Sequence, residues 1–122
     1  MAVTNYRQLT VWSKAMDVAQ EIYRVGRLMP KQEEYRLTSQ LIRAAISIPA
    51  NIAEGHTRAT RKDYAHFISI SRGSAAELET LVLLAERSAL LPPGETRPLL
   101  ASIEEIGRML TALHARLKSP SP

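Results

Sequence analysis

One stretch of the sequence, SIPANIAEG at residues 47–55, constrains the fold more than any other. A proline inside a helix removes one backbone hydrogen bond and clashes with the preceding turn, yet the apolar residues around Pro49 keep helical spacing on both sides of it. Two stripes cross the proline in one register: Leu41, Ala45, Ile48 and Ile52, and beside them Ile42, Ile46, Pro49 and Ala53. We therefore predict a single helix that continues through Pro49 with a kink, and Gly55 as its left-handed C-terminal cap.

Three further segments show the helical period, and proline or glycine separates them. The four predicted helices span about residues 9–28, 34–55, 60–90 and 95–118, and residues 119–122 form a disordered tail. Thr60 is the predicted N-cap of the third helix, with Asp63 at the third helical position. Helices of this length with short connections predict an all-α, antiparallel up-down-up-down four-helix bundle that forms one domain over residues 1–122.

Apolar residues cover more of the first three helices than a monomeric bundle needs. Such a bundle requires one apolar stripe per helix, whereas these helices carry stripes nearly twice as wide, and Leu83 faces away from the main stripe of the third helix. The fourth helix has a single stripe, and charges cover the rest of its surface. Because excess apolar surface marks interfaces, the sequence predicts self-association.

Residues that would support catalysis or metal binding do not form a recognisable pattern. The chain has no cysteine, which excludes disulfides, thiolate zinc sites and cysteine nucleophiles. His56, His66 and His114 lack the spacing of a di-metal helical site, and there is no phosphate-binding glycine loop or serine nucleophile elbow. We therefore predict a protein that is not an enzyme and that has no metal and no cofactor.

The N-terminal segment, MAVTNYRQLTVW, lacks the apolar core of a signal peptide. No other segment has the length and apolarity of a membrane span. We therefore expect a cytoplasmic protein without a membrane partner.

The formal net charge of +4 comes from the first half of the chain. Residues 1–61 hold 9 Lys or Arg against 5 Asp or Glu, whereas residues 62–122 hold 7 of each. The candidate phosphate-binding residues are Arg58, Arg61, Lys62, Arg36 and Arg72. Arg61 and Lys62 lie at a predicted helix N-terminus, where backbone N–H groups also favour anions, although a solvated loop would have the same composition. Few aromatic residues lie among them, which favours contacts with the shape and backbone of a nucleic acid over base stacking.

The second helix has a polar edge opposite its apolar stripes. Its residues are Arg43, Ser47, Asn51 and Glu54, and Glu77 of the third helix lies beside them. Arg43 has two alternative roles: a structural ion pair with Glu77 or Glu54, which we favour, or direct contact with a ligand. Asn51 is placed to hydrogen-bond backbone carbonyls that the neighbouring proline leaves free.

Three segments carry specific motifs: LTVWSKAMDVAQEIYRV near the N-terminus, LTSQLIRAAISIPANIAEG from Leu37 to Gly55, and DYAHFISISRGSAAELETLVLLA from Asp63 to Ala85. They resemble the bacterial four helix bundle protein family, also called 23S ribosomal RNA intervening-sequence proteins, over about residues 6–92. The matching hallmark positions are Ser39, Arg43, Ser47, Ile48, Pro49, Asn51, Glu54, Gly55, Gly73, Ser74, Glu77 and Glu79. The basic run that follows the hallmark in this family is diluted here by Thr57 and Ala59.

The resemblance implies a four-helix bundle that assembles into a ring-like homo-oligomer, commonly a pentamer. It also implies a likeness to the accessory variability determinant of diversity-generating retroelements, which forms a basic pentameric barrel and binds nucleic acid and a reverse transcriptase. The partners that the resemblance implies are therefore further copies of this chain, RNA or DNA, and a reverse transcriptase.

Two functional hypotheses follow from the residues and the resemblance together. In the first, a non-enzymatic oligomeric bundle binds structured RNA or another nucleic acid through a basic surface. In the second, the bundle is a protein-interaction scaffold, for example a reverse-transcriptase accessory, that makes no direct contact with nucleic acid.

Overall fold

Four α-helices make up most of the chain in the computed structural model, which describes residues 5–120. They are α1 (Thr10–Gly26), α2 (Leu37–His56), α3 (Arg61–Arg87) and α4 (Pro93–Lys118), with short 3-10 helices at Tyr6–Gln8 and Lys31–Glu33. Helix α1 packs on α2 and α4, and α3 packs on the same two helices. The described residues contain no strand. The all-α class and the four-helix bundle are therefore confirmed.

The helix ends differ from the predicted ones mainly at the connection between α1 and α2. Helix α1 ends at Gly26, earlier than predicted, because the next three N–H groups bond three positions back and tighten the chain into a turn. Helix α2 begins at Leu37, later than predicted, since Arg36 has the non-helical angles φ −116° and ψ −111°. Ser119 follows α4 directly, and residues 121–122 of the predicted tail lie outside the described range.

The core runs along the bundle axis and contains aliphatic side chains from all four helices. Its largest fully buried members are Ile22, Val25, Leu41, Ile48, Ile52, Ile68, Leu78, Val82, Leu91, Ile103, Ile106 and Leu110. In α1 the buried side is that of Ile22, whereas Met16 and Tyr23 are 41% and 47% exposed. Part of the wide apolar stripe of α1 is therefore left uncovered by the other helices.

Helix α2 continues through Pro49, as predicted, and the proline itself is buried. Its ring nitrogen carries no proton, so the helix loses one backbone hydrogen bond at this point. The neighbouring Ile48 and Ile52 are fully buried, and apolar burial of this kind offsets the lost bond. The kink at Pro49 stays a prediction.

The prediction that Gly55 caps α2 in the left-handed conformation is wrong. Gly55 lies inside the helix, which continues to His56 with Thr57 as its C-cap, and no glycine in residues 5–120 has a positive φ. Glycine is required here for space, because a Cβ would lie 2.8 Å from Phe67 Cβ and 3.1 Å from Tyr64 Cδ1. The absence of a side chain lets α3 approach the backbone of α2.

A left-handed cap occurs instead after α3, at Ala89, whose φ is 58°. The Ala89 N–H donates to Glu86 O at 3.1 Å and the Leu90 N–H donates to Ala85 O at 2.9 Å, which are the two hydrogen bonds of a Schellman motif. Leu90 packs against the core and so fixes the exit of the chain from α3. This conformation suits glycine and costs other L-residues about 1–2 kcal/mol.

Gly55→Ala is expected to destabilise the protein by about 1–3 kcal/mol, because the new Cβ would overlap Phe67 and strain the contact between α2 and α3. Gly73→Ala is the matched control, since a Cβ there meets no atom within 4 Å and better helix propensity should stabilise the fold by about 1 kcal/mol. Guanidinium unfolding at one protomer concentration measures both changes. Midpoint shifts of the same sign and size would contradict the packing role of Gly55.

Ala89→Gly is expected to raise the free energy of unfolding by about 1 kcal/mol, because glycine adopts a positive φ without the steric cost that alanine bears. Ser88→Gly is the control one residue earlier, where φ is −89° and glycine brings no such relief. Thermal or denaturant unfolding compares the two variants. A gain for Ala89→Gly that is no larger than that for Ser88→Gly would refute the strained cap.

Candidate nucleic-acid interface

Antiparallel packing brings four parts of the chain to one end of the bundle. They are the start of α1 with the preceding 3-10 helix, the end of α2, the start of α3 and the end of α4. Arg61 Nη2 donates to Arg116 O at 2.5 Å, which joins the start of α3 to the last turn of α4. The cationic residues of this end, which we call the basic end, are Arg7, Arg58, Arg61, Lys62, Arg116 and Lys118.

The basic end holds the whole net charge of the chain. Its carboxylates are Glu54 and Asp63, so six cationic side chains face two anionic ones. The other ten Lys or Arg and the other ten Asp or Glu cancel, and the excess at this end equals the formal net charge of +4. His56, His66 and His114 lie in the adjoining helical turns.

Two of the predicted phosphate-binding residues have contacts within the protein. Arg58 pairs with Glu54 at 3.3 Å, and its guanidinium carbon lies 4.6 Å from the centre of the Phe67 ring. Arg61 donates a hydrogen bond to the backbone carbonyl of Arg116 at the C-terminal end of α4. Both arginines are exposed, so their remaining N–H donors are accessible to a phosphate. Lys62 is exposed and has no ion-pair partner among residues 5–120.

The other two predicted residues lie elsewhere. Arg36 precedes α2 at the opposite end of the bundle, about 30 Å away along the 20 residues of that helix. Arg72 lies well along α3 and is partly buried beside a groove between α3 and α4 that also contains Glu79 and Glu104. Arg36 therefore cannot form one continuous site with Lys62, whereas Arg72 lies about 15 Å from Lys62 along α3, outside the basic end.

Three cationic residues of the basic end were not predicted, namely Arg7, Arg116 and Lys118. They come from the two ends of the chain, which the bundle topology places beside the connection between α2 and α3. A usable signal was present in the predicted topology, because odd-numbered helices begin where even-numbered helices end in an up-down bundle. Applied to the predicted helices, this rule groups Arg116 and Lys118 with Arg58.

Aromatic rings at the basic end pack against other side chains of the protein. Tyr6 and Trp12 meet edge to face with ring centres 5.4 Å apart, and His56 and Tyr64 do so at 5.7 Å. Burial raises the pKa of the Tyr64 phenol, against the opposing charge of Arg116. Rings that are engaged in this way offer little platform for unpaired bases, so phosphate contact is the chemistry that this end provides.

One residue of the polar edge of α2, Ser47, contacts α3 directly. Ser47 Oγ and Ser74 Oγ lie 2.7 Å apart, and Ser71 Oγ, which is buried, donates to Ile48 O at 2.9 Å. Asn51 Nδ2 donates to Ser47 O at 2.8 Å and to Ser47 Oγ at 3.0 Å. We call these four polar side chains the α2–α3 seam: Ser47, Asn51, Ser71 and Ser74. The Ser47–Ser74 and Ser71–Ile48 hydrogen bonds join the two helices, and Asn51 holds the Ser47 hydroxyl from within α2. This is a structural role.

The carbonyl that Asn51 contacts differs from the predicted one. Pro49 lacks the N–H that would bond Ala45 O, one turn earlier in the helix. Asn51 instead bonds Ser47 O, in its own turn. The prediction that Asn51 satisfies a carbonyl freed by the proline is therefore wrong, because the side chain is too far along the helix to reach back to it.

Arg43 forms neither of the predicted ion pairs. Glu54 pairs with Arg58 instead, on the turn that follows the helix. Arg43 and Glu77 line a cavity of about 180 Å³ together with Gln40, but their charged groups do not meet. Arg43 and Glu77 are both exposed, so both charges face solvent.

Residues 5–120 contain no group of three or more His, Asp or Glu side chains that could hold a metal ion. No helix in this part of the chain is long and apolar enough to cross a membrane.

Ser71→Ala is expected to lower the free energy of unfolding by about 1–2 kcal/mol, because it removes a buried hydrogen bond between α3 and α2. Ser69→Ala, at an exposed position of the same helix, is the control and should change stability by less than about 0.5 kcal/mol. Denaturant midpoints measure both effects. If Ser71→Ala unfolds at the same midpoint as Ser69→Ala, the seam does not stabilise the bundle.

Comparison with known proteins supports the fold and identifies the family. A crystal structure of a protein of unknown function from the S23 ribosomal protein family of Bacteroides thetaiotaomicron is similar with a TM-score of 0.80 and 23% sequence identity, covering 90% of this chain and 100% of that chain. That likeness shows a shared fold. No curated protein matches the chain. The family model described as 23S rRNA-intervening sequence protein matches residues 7–112, so this chain belongs to the 23S rRNA-intervening sequence protein family.

Proposed function

We propose that this protein is a non-enzymatic, self-associating helical bundle that binds structured RNA or another nucleic acid through its basic end. The observation that carries the proposal is the collection of the whole formal net charge, +4, at one end of the bundle. The side chains that would contact phosphate are Arg58, Arg61, Lys62, Arg116 and Lys118.

The helix ends at this site contribute partial charges of both signs. The N-termini of α1 and α3 open on the basic end, and their backbone N–H groups carry partial positive charge. The C-termini of α2 and α4 lie at the same end and carry partial negative charge, of which the Arg61 guanidinium covers that of α4 at Arg116 O. The fixed dipoles therefore largely cancel, and the cationic side chains provide the attraction for phosphate.

A folded RNA or a duplex fits this surface better than an unpaired strand does. Unpaired strands are held by aromatic rings on which bases stack, and the rings of this end are occupied by each other. Cationic side chains without free rings recognise the spacing of phosphates. The proposed contact is therefore independent of base sequence and weakens steeply with salt.

Uncovered apolar side chains support the self-association that forms part of the proposal. The exposed large apolar residues of the described chain are Met16, Tyr23, Leu28, Tyr35, Ile46, Ile70, Leu83 and Leu84. None of them belongs to α4, so the excess lies on α1, α2, α3 and the connection between α1 and α2. Together with the family resemblance, this favours a ring-like homo-oligomer, for which a pentamer is the expected size.

The same apolar residues favour a second candidate function, a protein-interaction scaffold that does not contact nucleic acid. A reverse transcriptase is the partner that the resemblance suggests. Binding of the purified partner after nuclease digestion, with no binding of RNA or DNA by the protein alone, would select this second function over the first.

Lys62→Glu combined with Lys118→Glu is expected to weaken binding to a labelled RNA duplex, because both side chains are exposed and unpaired at the basic end. The slope of log affinity against log salt concentration should fall by about 1 for each phosphate contact that is lost. Fluorescence anisotropy over a salt series measures both quantities.

Lys31→Glu combined with Arg36→Glu is the matched control, since it reverses two exposed charges at the opposite end of the bundle. It should leave the salt slope close to that of the wild type. Equal losses in the two double variants, or no salt-dependent binding of RNA or DNA by the wild type at low ionic strength, would contradict the proposed function.

A further inference from the structure

All three histidines of the chain lie at or next to the basic end. His56 is the last residue of α2, His66 lies at a rise of about 8 Å from the start of α3, and His114 lies about 6 Å before the end of α4. Along the bundle axis, each is therefore within about 8 Å of the end of its helix, which is one Debye length at physiological salt. The opposite end of the bundle has no histidine.

Two of these histidines lie one helical turn from a lysine that the proposed function assigns to phosphate. His66 is exposed and follows Lys62 by four positions, and His114 precedes Lys118 by four positions. Residues four apart on a helix have their Cβ atoms about 5–6 Å apart on the same face. A phosphate bound at either lysine is therefore close to an imidazole, which offers two N–H donors when it is protonated.

His56 is half-buried and faces α3. Its ring meets the Tyr64 ring edge to face, with ring centres 5.7 Å apart. The charged residues of its own segment are Glu54 and Arg58, which pair with each other at 3.3 Å. The 3-10 helix Tyr6–Gln8 also packs on α2 and contributes Arg7. His56 therefore lies among cations, and the one carboxylate of its own segment is already paired.

His114 is half-buried on the side of α4 that adjoins α3. Thr111, one turn earlier, lines the groove between α3 and α4. On the α3 side the charged neighbour is Arg61, which donates to the carbonyl of Arg116. The start of α1, which also packs on α4, has no charged residue before Lys14. The surroundings of His114 are therefore cationic as well.

Among the side chains at this end, imidazoles alone ordinarily change charge between pH 5 and pH 8. Burial raises the pKa of the Tyr64 phenol, so this group stays neutral in that range. The carboxylates of this end are Glu54 and Asp63, and no histidine within residues 5–120 has an ion pair or a side-chain hydrogen bond with them. Protonation of all three histidines raises the formal charge of the basic end from +4 to +7.

We propose that the basic end binds nucleic acid more tightly as the pH falls, because His66 and His114 become cationic beside the bound phosphates and His56 adds its charge to the field at this end. This rests on the proposed function and names how the same site is regulated. Protonation and binding strengthen each other by the same factor. Complex formation therefore takes up protons, whereas phosphate contacts of arginine and lysine alone would not.

The test is the affinity for a labelled, fully base-paired RNA duplex at about pH 8 and at about pH 5.5, at constant ionic strength. Fluorescence anisotropy measures it over a salt series, and circular dichroism checks the fold at both pH values. Each histidine that contacts a phosphate should add about 1 to the salt slope at the lower pH. At about 0.1 M salt it should also raise the affinity by up to about tenfold.

Three variants separate the histidines from other groups, and the readout is the ratio of the affinities at the two pH values. H66Q/H114Q should lower this ratio, and H56Q/H66Q/H114Q should bring it close to one. H66Q alone should also lower it, and this change is at an exposed position that no helix packing depends on. R36Q, which removes one charge at the opposite end, is the control and should keep the wild-type ratio.

Isothermal titration calorimetry in two buffers of different ionisation enthalpy counts the protons that binding takes up. Near pH 6.5 the wild type should take up protons and the triple variant none. Equal affinity ratios for the wild type and the triple variant would overturn the proposal, since the titration would then belong to a carboxylate or to the RNA. Binding of the wild type that does not change with pH would overturn it and leave the proposed function intact. Absence of salt-dependent binding at both pH values would refute the proposed function itself.

Discussion

The close contact between α2 and α3 determines where the other parts of the protein lie. At Gly55 the backbone of α2 has no side chain, and Tyr64 and Phe67 of α3 occupy the space. Further along the same contact, the Ser71 hydroxyl donates to Ile48 O. Because the helices are tight against each other beside their short connection, the end of α2 and the start of α3 stay together. Helix α4 then packs on α3 with its C-terminus at the same end, which is how the basic end forms.

The surface of the bundle is divided between charge and apolar side chains, and α4 shows the division most clearly. Its buried residues form one stripe, and none of the exposed large apolar residues belongs to it. Helices α1, α2 and α3 each expose such residues. A side of a bundle that faces water gains nothing from exposed aromatic or aliphatic groups, so α4 has the composition of a solvent-facing helix and the other three do not.

The helical period of the sequence was sufficient to predict the elements, because burial of one side of a helix imposes that period. The helical period continues across Pro49, where helix propensity alone predicts a break. The helical period could not show which role a glycine has. Gly55 provides space for another helix, whereas the left-handed cap is at Ala89. The candidate site was predicted in part, because three of its cations are close in sequence. The bundle topology places Arg116 at the basic end and Arg36 at the opposite end. The spacing of residues along the sequence does not show this.

A formal excess of four charges is small for one nucleic-acid-binding unit, and this links the proposed nucleic-acid binding to the proposed self-association. Affinity for a polyanion depends on the number of phosphates that are neutralised together. An oligomer that presents several basic ends on one side would bind cooperatively, because each end bound would raise the effective concentration of the next. Binding would then strengthen with the number of copies although no single copy gains a contact. In that arrangement the apolar residues that α1, α2 and α3 leave uncovered would determine nucleic-acid affinity as much as the cations do.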